Sequence, residues 1–167
     1  FCNAPTCGPS RSAILTGQPI WRLEEAGNIH STLPAKFATY TEELQKAGYI
    51  VASTGKGWGP GRLEPGDRTQ QPAGTPRHGR TLKPPFSGIR NIDYAGNFDD
   101  FVHELRGDQP FCFWLGAFEP HRDFEKGSGI ATGKSPARVV VPKIFPDHEI
   151  VRSDLLDYLV EIEHFDA

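Results

Sequence analysis

Residues 39–52, TYTEELQKAGYIVA, decide the fold class of this chain. Thr39 and Glu42 have the spacing of a capping box, in which each side chain bonds the other residue's main-chain N–H, so they predict a helix N-terminus. The helix is predicted to end at Gly48, because glycine readily adopts the left-handed conformation that closes a helix. Residues 49–52 follow at once as a short apolar strand. A helix that leads directly into a strand is typical of an α/β sheet.

Further elements are predicted on both sides of this stretch. Residues 110–115 are almost entirely apolar, which favours a strand covered on both faces in the middle of a sheet. Residues 98–105 precede it as a short amphipathic helix, and residues 57–97 are too rich in Gly and Pro for long regular elements. Near the C-terminus, Ser153 is predicted to cap a last helix. The side chains predicted to face the core from that helix recur at helical spacing: Leu155, Tyr158, Leu159, Ile162 and Phe165.

The composition fits a globular protein with one α/β unit. The chain has 167 residues, of which 37% are hydrophobic and 23% charged, and this is an ordinary size for a single domain. Its net charge is −3, with 18 basic and 21 acidic residues spread along the chain, so neither nucleic acid nor a membrane is an expected partner. No apolar run is long enough to span a bilayer. Because the chain begins at Phe1 and contains no Met, we expect it to be a fragment.

The strongest functional pattern is the N-terminal block NAPTCGPSRSAILTG, residues 3–17. Pro9 and the residues after it predict a helix that ends at Gly17. Cys7 would then lie at the helix N-terminus, with Arg11 one turn later. Taken alone, Cys7 would also fit a small buried residue, and Arg11 a solvated surface charge.

The block resembles the signature of the type I sulfatases, in which C-x-P-S-R is followed by L-T-G. The resemblance implies that a formylglycine-generating enzyme oxidises Cys7 to formylglycine, an aldehyde whose hydrate has two hydroxyl groups on one carbon. One hydroxyl attacks sulfur and displaces the alcohol or amine, and the other then expels sulfate and restores the aldehyde. Cys2 and Cys112 match no such motif, and we expect both to be inert core thiols.

The predicted position of Cys7 suits this chemistry. Free main-chain N–H groups and the positive end of the helix dipole attract an anion at a helix N-terminus. Arg11, four residues later, can return its guanidinium to the same place and hold the hydrate or a sulfate oxygen.

A second part of the sulfatase pattern lies at residues 48–59, GYIVASTGKGWG. It resembles the family's G-Y-x-T-x-x-x-G-K-W-H-x-G segment, which delivers a lysine to the sulfate, and Lys56 occupies the lysine position. Where the family usually has histidine two residues later, this chain has Trp58, so one hydrogen-bond donor to the nucleophile is in question. The glycines on both sides of Lys56 allow a ligand to approach closely, although an exposed loop lysine would also fit.

His121 follows the apolar strand of residues 110–115, close to the strand end where α/β sheets bind their ligands. Without a family a lone histidine would more often be structural. The segment from Glu119 to Arg122 resembles the family's P-H motif, whose histidine contacts the sulfate and protonates the leaving oxygen or nitrogen. The resemblance assigns catalysis to Cys7, Arg11, Lys56 and His121, and substrate binding to Lys56, His121 and Arg122.

The resemblance also implies a metal and a larger fold. In the family a divalent cation, usually calcium, is held by formylglycine and by carboxylate groups that are expected outside this chain. Cys7, as formylglycine, is the one metal ligand predicted here, and a hard cation needs several oxygen ligands. The implied fold is an alkaline-phosphatase-like mixed sheet with helices on both faces, of which residues 1–167 form part of the catalytic domain. The extreme N-terminal strand and the C-terminal metal-binding half would be missing, so the chain alone should be inactive.

The predicted function is hydrolysis of a sulfate ester or sulfamate in a sulfated small molecule or sulfated polysaccharide. Residues 141–155 resemble the heparan N-sulfatase branch, which suggests heparan sulfate. Two alternatives stay open: a phosphonate or phosphate ester hydrolase of the same superfamily, and a degenerate binding module that kept the fold and lost turnover. Sulfatases mostly act outside the cytoplasm, so the resemblance implies a periplasmic, secreted or lysosomal location.

Overall fold

The structure is a computed structural model that describes residues 2–65 and 67–167. The chain divides into two compact units, a division that the sequence did not predict. The first unit comprises the described residues up to Arg80 together with Asp93–Gly116, and the second comprises Thr81–Ile92 and Ala117–Ala167. None of the helices in the described residues combines the length and apolar character needed to cross a membrane.

The first unit is an α/β unit, as predicted. Its short 3-10 turns lie at Ile20–Arg22 and Glu24–Gly27. Its helices are α1 (Cys7–Thr16), α2 (Tyr40–Lys46) and α3 (Tyr94–Glu104), and its strands are β1 (Ile50–Gly55), β2 (Thr75–Pro76) and β3 (Phe111–Gly116).

Local sequence signals set the ends of these helices. Gly17 closes α1 in the left-handed conformation, with φ of 67°, and its N–H bonds the Ala13 carbonyl. Both bonds of the predicted capping box between Thr39 and Glu42 are present at the start of α2. α3 begins earlier than predicted because Asp93 caps it through a bond from a main-chain N–H of its first turn.

Within the described residues, β1 is the central strand of a parallel sheet with the order β2-β1-β3. The predicted central position of residues 110–115 is therefore wrong: β3 lies at the edge, where Phe111 is 42% and Leu115 48% exposed. The buried strand is β1. The described strands are all parallel, whereas a mixed sheet was predicted.

Helices cover both faces of β3, as predicted. Successive side chains of a strand point to opposite faces, so Phe111 and Phe113 share one face and Cys112 and Trp114 the other. On the first face α3 packs two phenylalanine rings against β3, with ring centroids as close as 4.9 Å. On the second face a tyrosine hydroxyl of α2 bonds the Cys112 thiol, and Arg11 of α1 stacks on the Trp114 ring at 5.7 Å.

The second unit is built around a long C-terminal helix. A 3-10 turn lies at Pro136–Arg138, and the helices are α4 (Ser128–Ala131) and α5 (Glu149–Asp166). The prediction that Ser153 caps the last helix is wrong. α5 begins one turn earlier, because the His148 side chain accepts the Ile150 N–H at 3.2 Å.

The buried face of α5 also differs from the prediction. The predicted apolar stripe is partly or largely exposed, with Tyr158 at 39% and Leu159 at 40%. The buried side chains are Leu156, Asp157, Val160 and Glu161. Two carboxylates are buried because they accept main-chain N–H groups from the loops packed against the helix, and such bonds satisfy a buried polar group.

We expect Gly116→Ala to destabilise the first unit. A Cβ at Gly116 would collide with the Lys56 carbonyl oxygen and lie 2.7 Å from Trp114 Nε1, so packed atoms must shift at a cost of about 1–3 kcal/mol. Gly79→Ala is the matched control, because nothing lies within 4 Å of its Cβ position, and its effect should stay within about 0.5 kcal/mol. Equilibrium urea unfolding measures both, and equally small effects would contradict the close approach.

Candidate active site

Cys7 is the first residue of α1, where the sequence predicted it. Its side chain is half-buried. The preceding Thr6 makes no side-chain capping bond, so it does not occupy the amides of the first turn. The next residue, Gly8, packs closely against the Pro60 main chain: a Cβ at Gly8 would lie 3.2 Å from the Pro60 carbonyl oxygen. The helix start is therefore held against the chain while its N-terminal amides are not capped by a hydroxyl.

Arg11 connects α1 to the end of β1. Its Nη1 donates to the Lys56 carbonyl at 2.7 Å and to the Gly57 carbonyl at 2.9 Å. Burial lowers the pKa of Arg11, and attraction to Cys7 opposes this shift, so the guanidinium and the sulfur lie near each other. A guanidinium has five N–H groups. Since only Nη1 bonds to described residues, Nε and Nη2 keep donors for an anion beside Cys7.

Lys56 directly follows β1 and has a fixed main chain. Its N–H donates to the Gly116 carbonyl at 2.5 Å, and its carbonyl accepts the Trp114 indole N–H at 3.0 Å in addition to Arg11. Its side chain is half-buried, and the ammonium makes no hydrogen bond or ion pair with residues 2–65 or 67–167. The structure thus brings Lys56 and Arg11 together at the carboxyl end of the sheet and leaves the ammonium free of those residues.

Trp58, which stands at the position where the sulfatase pattern usually has histidine, is a core residue. It is 7% exposed, and its indole N–H donates to Ser12 Oγ at 2.8 Å. That hydroxyl donates in turn to the Gly8 carbonyl at 3.0 Å, so Trp58 supports the first turns of α1. The apolar side chains clustered with it are Leu15, Leu23, Ala26, Leu33 and Ala73.

His121 belongs to the second unit. Its main-chain N–H donates to Glu161 Oε2 at 2.7 Å, and its exposed ring places Nδ1 2.6 Å from the Arg122 carbonyl oxygen. A carbonyl can only accept a hydrogen bond, so we infer that Nδ1 carries a proton. Nε2 is then the nitrogen that can take up or release a proton.

Arg122, a predicted substrate-binding residue, is engaged in an ion pair of the second unit. Its two terminal nitrogens bond the two carboxylate oxygens of Asp154 at 2.7 and 2.5 Å, and its guanidinium lies 4.8 Å from the Phe124 ring centroid. The bond to Asp154 raises the pKa of Arg122 and lowers that of Asp154. A sulfate would have to compete with Asp154, and the substrate-binding role stays a prediction.

No cluster of acidic side chains that could hold calcium is found among the described residues. They contain no group of three or more His, Cys, Asp or Glu side chains arranged to hold a metal ion. A calcium ion takes six to eight oxygen ligands, and formylglycine at Cys7 would supply one residue of such a set. The carboxylate ligands of the predicted cation are therefore not found among these residues.

The two other cysteines have different environments. Cys2 is exposed, so its prediction as a core thiol is wrong. Cys112 is half-buried, and burial raises the pKa of its thiol while the Tyr40 hydroxyl bond acts in the opposite direction. A raised pKa disfavours the reactive thiolate, in agreement with the expected inertness of Cys112.

Several residues that support the candidate site were not predicted. Trp114 and Gly116 fix the Lys56 carbonyl, and Glu161 holds His121. One signal could have revealed Trp114: an indole N–H in an otherwise apolar strand usually needs a hydrogen-bond partner when it is buried. Compared with known proteins, the chain matches no family model, no curated protein and no solved structure.

We expect Trp58→Ala to lower the free energy of unfolding by about 3–5 kcal/mol, because it removes a buried aromatic side chain and leaves a cavity. Trp21→Ala is the matched control, since Trp21 is 77% exposed, and should change stability by about 0.5 kcal/mol or less. Chemical denaturation followed by circular dichroism measures both. Similar small losses would mean that Trp58 is a surface residue, free to contact a ligand.

Proposed function

We propose that this chain is part of the catalytic domain of a formylglycine-dependent sulfatase with an alkaline-phosphatase-like fold. One observation carries the proposal. Cys7 of the C-x-P-S-R motif opens α1, and the Arg11 guanidinium beside it bonds the segment that carries Lys56. A nucleophile, a guanidinium with unused donors and an ammonium are the groups that attack on a sulfate ester requires.

In the proposed reaction, Cys7 acts after conversion to formylglycine. One hydroxyl of the hydrated aldehyde attacks sulfur and releases the alcohol or amine. The second hydroxyl then loses its proton and expels sulfate, which regenerates the aldehyde. Arg11 and Lys56 would stabilise the additional negative charge on the sulfuryl oxygens, by about 3 kcal/mol each if they resemble other preorganised donors.

The proposal assigns the acid role to His121. An unprotonated alkoxide or amide is a poor leaving group, so a proton donor accelerates its departure. Because Nδ1 lies at bonding distance from the Arg122 carbonyl, Nε2 would deliver the proton. The role itself rests on the P-H motif.

The proposed substrate class is a sulfated glycan, with the heparan N-sulfatase branch favoured by residues 141–155. The resemblance adds calcium, a formylglycine-generating enzyme as maturation partner, and a periplasmic, secreted or lysosomal location. Each of these extends the same proposal and rests on the sequence motifs alone.

A binding module without turnover is the second candidate. It is favoured by Trp58, whose indole N–H bonds Ser12 where the family usually has a histidine near the nucleophile. A phosphate or phosphonate ester hydrolase would use the same tetrahedral anion site. Rates on matched aryl sulfate and aryl phosphate esters separate the three when they are measured on a longer protein that adds the expected N-terminal strand and metal-binding half to this chain and is converted at Cys7. Faster sulfate release supports the sulfatase, faster phosphate release supports the esterase, and no release of either supports the binding module.

We expect Cys7, and neither Cys2 nor Cys112, to become formylglycine when the chain is produced together with a formylglycine-generating enzyme. The reason is that only Cys7 stands in a C-x-P-x-R sequence. Mass spectrometry after trypsin digestion measures this as loss of the thiol and gain of an aldehyde. Cys2 and Cys7 fall on one peptide ending at Arg11, so fragment ions must assign the modified position.

Two controls make the experiment decisive. Cys7→Ala should abolish the aldehyde, and a protein with an established conversion motif, produced in the same cells, shows that the maturation enzyme is active. An intact Cys7 thiol beside a fully converted control protein would contradict the proposed function. An aldehyde at Cys2 or Cys112 would show that the C-x-P-x-R motif does not determine which cysteine is converted.

A further inference from the structure

Glu161 of α5 has an unusual environment for a carboxyl group. It is 3% exposed. Its Oε2 accepts the His121 main-chain N–H at 2.7 Å, while its buried Oε1 finds no hydrogen-bond partner among the described residues. Buried polar atoms are nearly always bonded, so a half-satisfied buried carboxyl calls for an explanation.

The surroundings of Glu161 favour its protonated form. Burial raises its pKa, and the nearby Glu119 carboxylate acts in the same direction. The His121 N–H bond and the charges of His121 and His164 oppose this rise. Glu119 is itself buried and accepts the Arg90 N–H at 2.7 Å. A neutral carboxyl at position 161 can still accept from His121 without placing two like charges together.

The loop that carries His121 depends on side-chain anchors. Between Gly116 and Ser128 the chain has no helix or strand, so main-chain ladders do not fix it. α5 supplies three carboxyl groups along this loop. Glu161 accepts the His121 N–H, Asp154 accepts bonds from the Arg122 side chain, and Asp157 accepts the N–H groups of Gly127 and Gly129.

The three anchors lie on one side of α5. Positions 154, 157 and 161 are three, four and seven residues apart, which is the spacing of neighbours on a helix face. This explains why α5 buries Asp157 and Glu161 in place of the apolar residues that the sequence predicted. A helix that holds a loop through the main-chain N–H groups of the loop needs hydrogen-bond acceptors on the face that contacts the loop.

We propose that Glu161 is the positioning residue of His121: it fixes the main-chain N–H of the histidine and thereby sets where the imidazole lies. The functional part of this inference rests on the proposed acid role of His121. The structural part stands on the bond from His121 to Glu161 and on the burial of the carboxyl.

Two substitutions distinguish the hydrogen-bond acceptor of Glu161 from its negative charge. Glu161→Gln keeps an oxygen that can accept the His121 N–H and cannot ionise, whereas Glu161→Leu removes the acceptor. Glu163→Leu is the matched control on the same helix, because Glu163 is 62% exposed and pairs only with Lys134 among the described residues.

Amide hydrogen exchange, followed by NMR of the 167-residue chain, tests the structural part. In Glu161→Leu the His121 amide should exchange roughly tenfold faster, since it loses one hydrogen bond, while the Gly127 and Gly129 amides held by Asp157 keep their protection. Glu161→Gln and Glu163→Leu should match the unsubstituted chain. Unchanged His121 exchange in Glu161→Leu would overturn the proposal, and so would equal loss of protection at Gly127 and Gly129. Should the leucine variant not fold, retained His121 protection in Glu161→Gln supports the proposal and its loss overturns it.

The pH dependence of stability gives a second, independent readout. A carboxyl whose pKa is raised on folding stabilises the protein at low pH, and this stabilisation is lost as the pH rises through the folded-state pKa. The contribution of Glu161 to the free energy of unfolding should therefore fall as the pH rises above the ordinary carboxyl range, whereas Asp154, whose pKa is lowered, contributes in the opposite direction. Glu161→Gln should remove the Glu161 part of the slope. Identical slopes in the two proteins would contradict a raised pKa at Glu161.

Turnover distinguishes this proposal from the proposed function. If His121 is the acid, Glu161→Leu should lower kcat with little change in KM in a longer protein that includes this chain and the expected metal-binding half and is converted at Cys7, and Glu161→Gln should restore kcat. Faster His121 exchange with unchanged kcat would keep Glu161 as the anchor of the loop and overturn its part in positioning an acid.

Discussion

The first unit depends on two hydrogen bonds that share one acceptor, the main-chain carbonyl of Lys56. Arg11 of α1 and Trp114 of β3 both donate to it, at 2.7 and 3.0 Å, and a carbonyl oxygen has the two lone pairs that this requires. Gly116 leaves room for the oxygen because it has no Cβ. The carbonyl thus joins a helix, the end of the central strand and the edge strand. Loss of either donor would leave a half-buried acceptor short of a partner, which is costly.

Around Lys56 the main chain holds the structure together, while the side chains of Lys56 and Arg11 keep unused donors. The main-chain carbonyls of Lys56 and Gly57 are occupied by contacts with α1 and β3, and the Trp58 side chain supports α1 through Ser12. The Lys56 ammonium and the Nε and Nη2 donors of Arg11 make no bond to the described residues. α1 can therefore be held firmly while these side-chain donors stay unbonded to the described residues. Trp58 packs in the apolar cluster behind α1 and bonds Ser12 of that helix.

The sequence predicted what local signals determine. The capping box of α2 and Gly17 at the end of α1 are short-range features, and both are confirmed. The edge position of β3 and the donors to the Lys56 carbonyl could not be predicted, because they depend on residues far apart in the chain: the two donors lie 45 and 58 positions from Lys56. The buried face of α5 was predicted wrongly for another reason. Its apolar stripe has the regular spacing of a core face, but the buried face contains Asp157 and Glu161, which bond loop amides that a helical pattern does not reveal.

A double-mutant cycle between Arg11→Met and Trp114→Phe tests the junction most directly. Each substitution keeps most of the side-chain volume and removes a donor to the Lys56 carbonyl. Because both donors share one acceptor and stack on each other, the unfolding free energies should be non-additive, with a coupling of about 1 kcal/mol. Additivity within about 0.3 kcal/mol would show that the two donors act independently. In that case the shared carbonyl does not couple α1 to the edge strand, which contradicts the central role given to it.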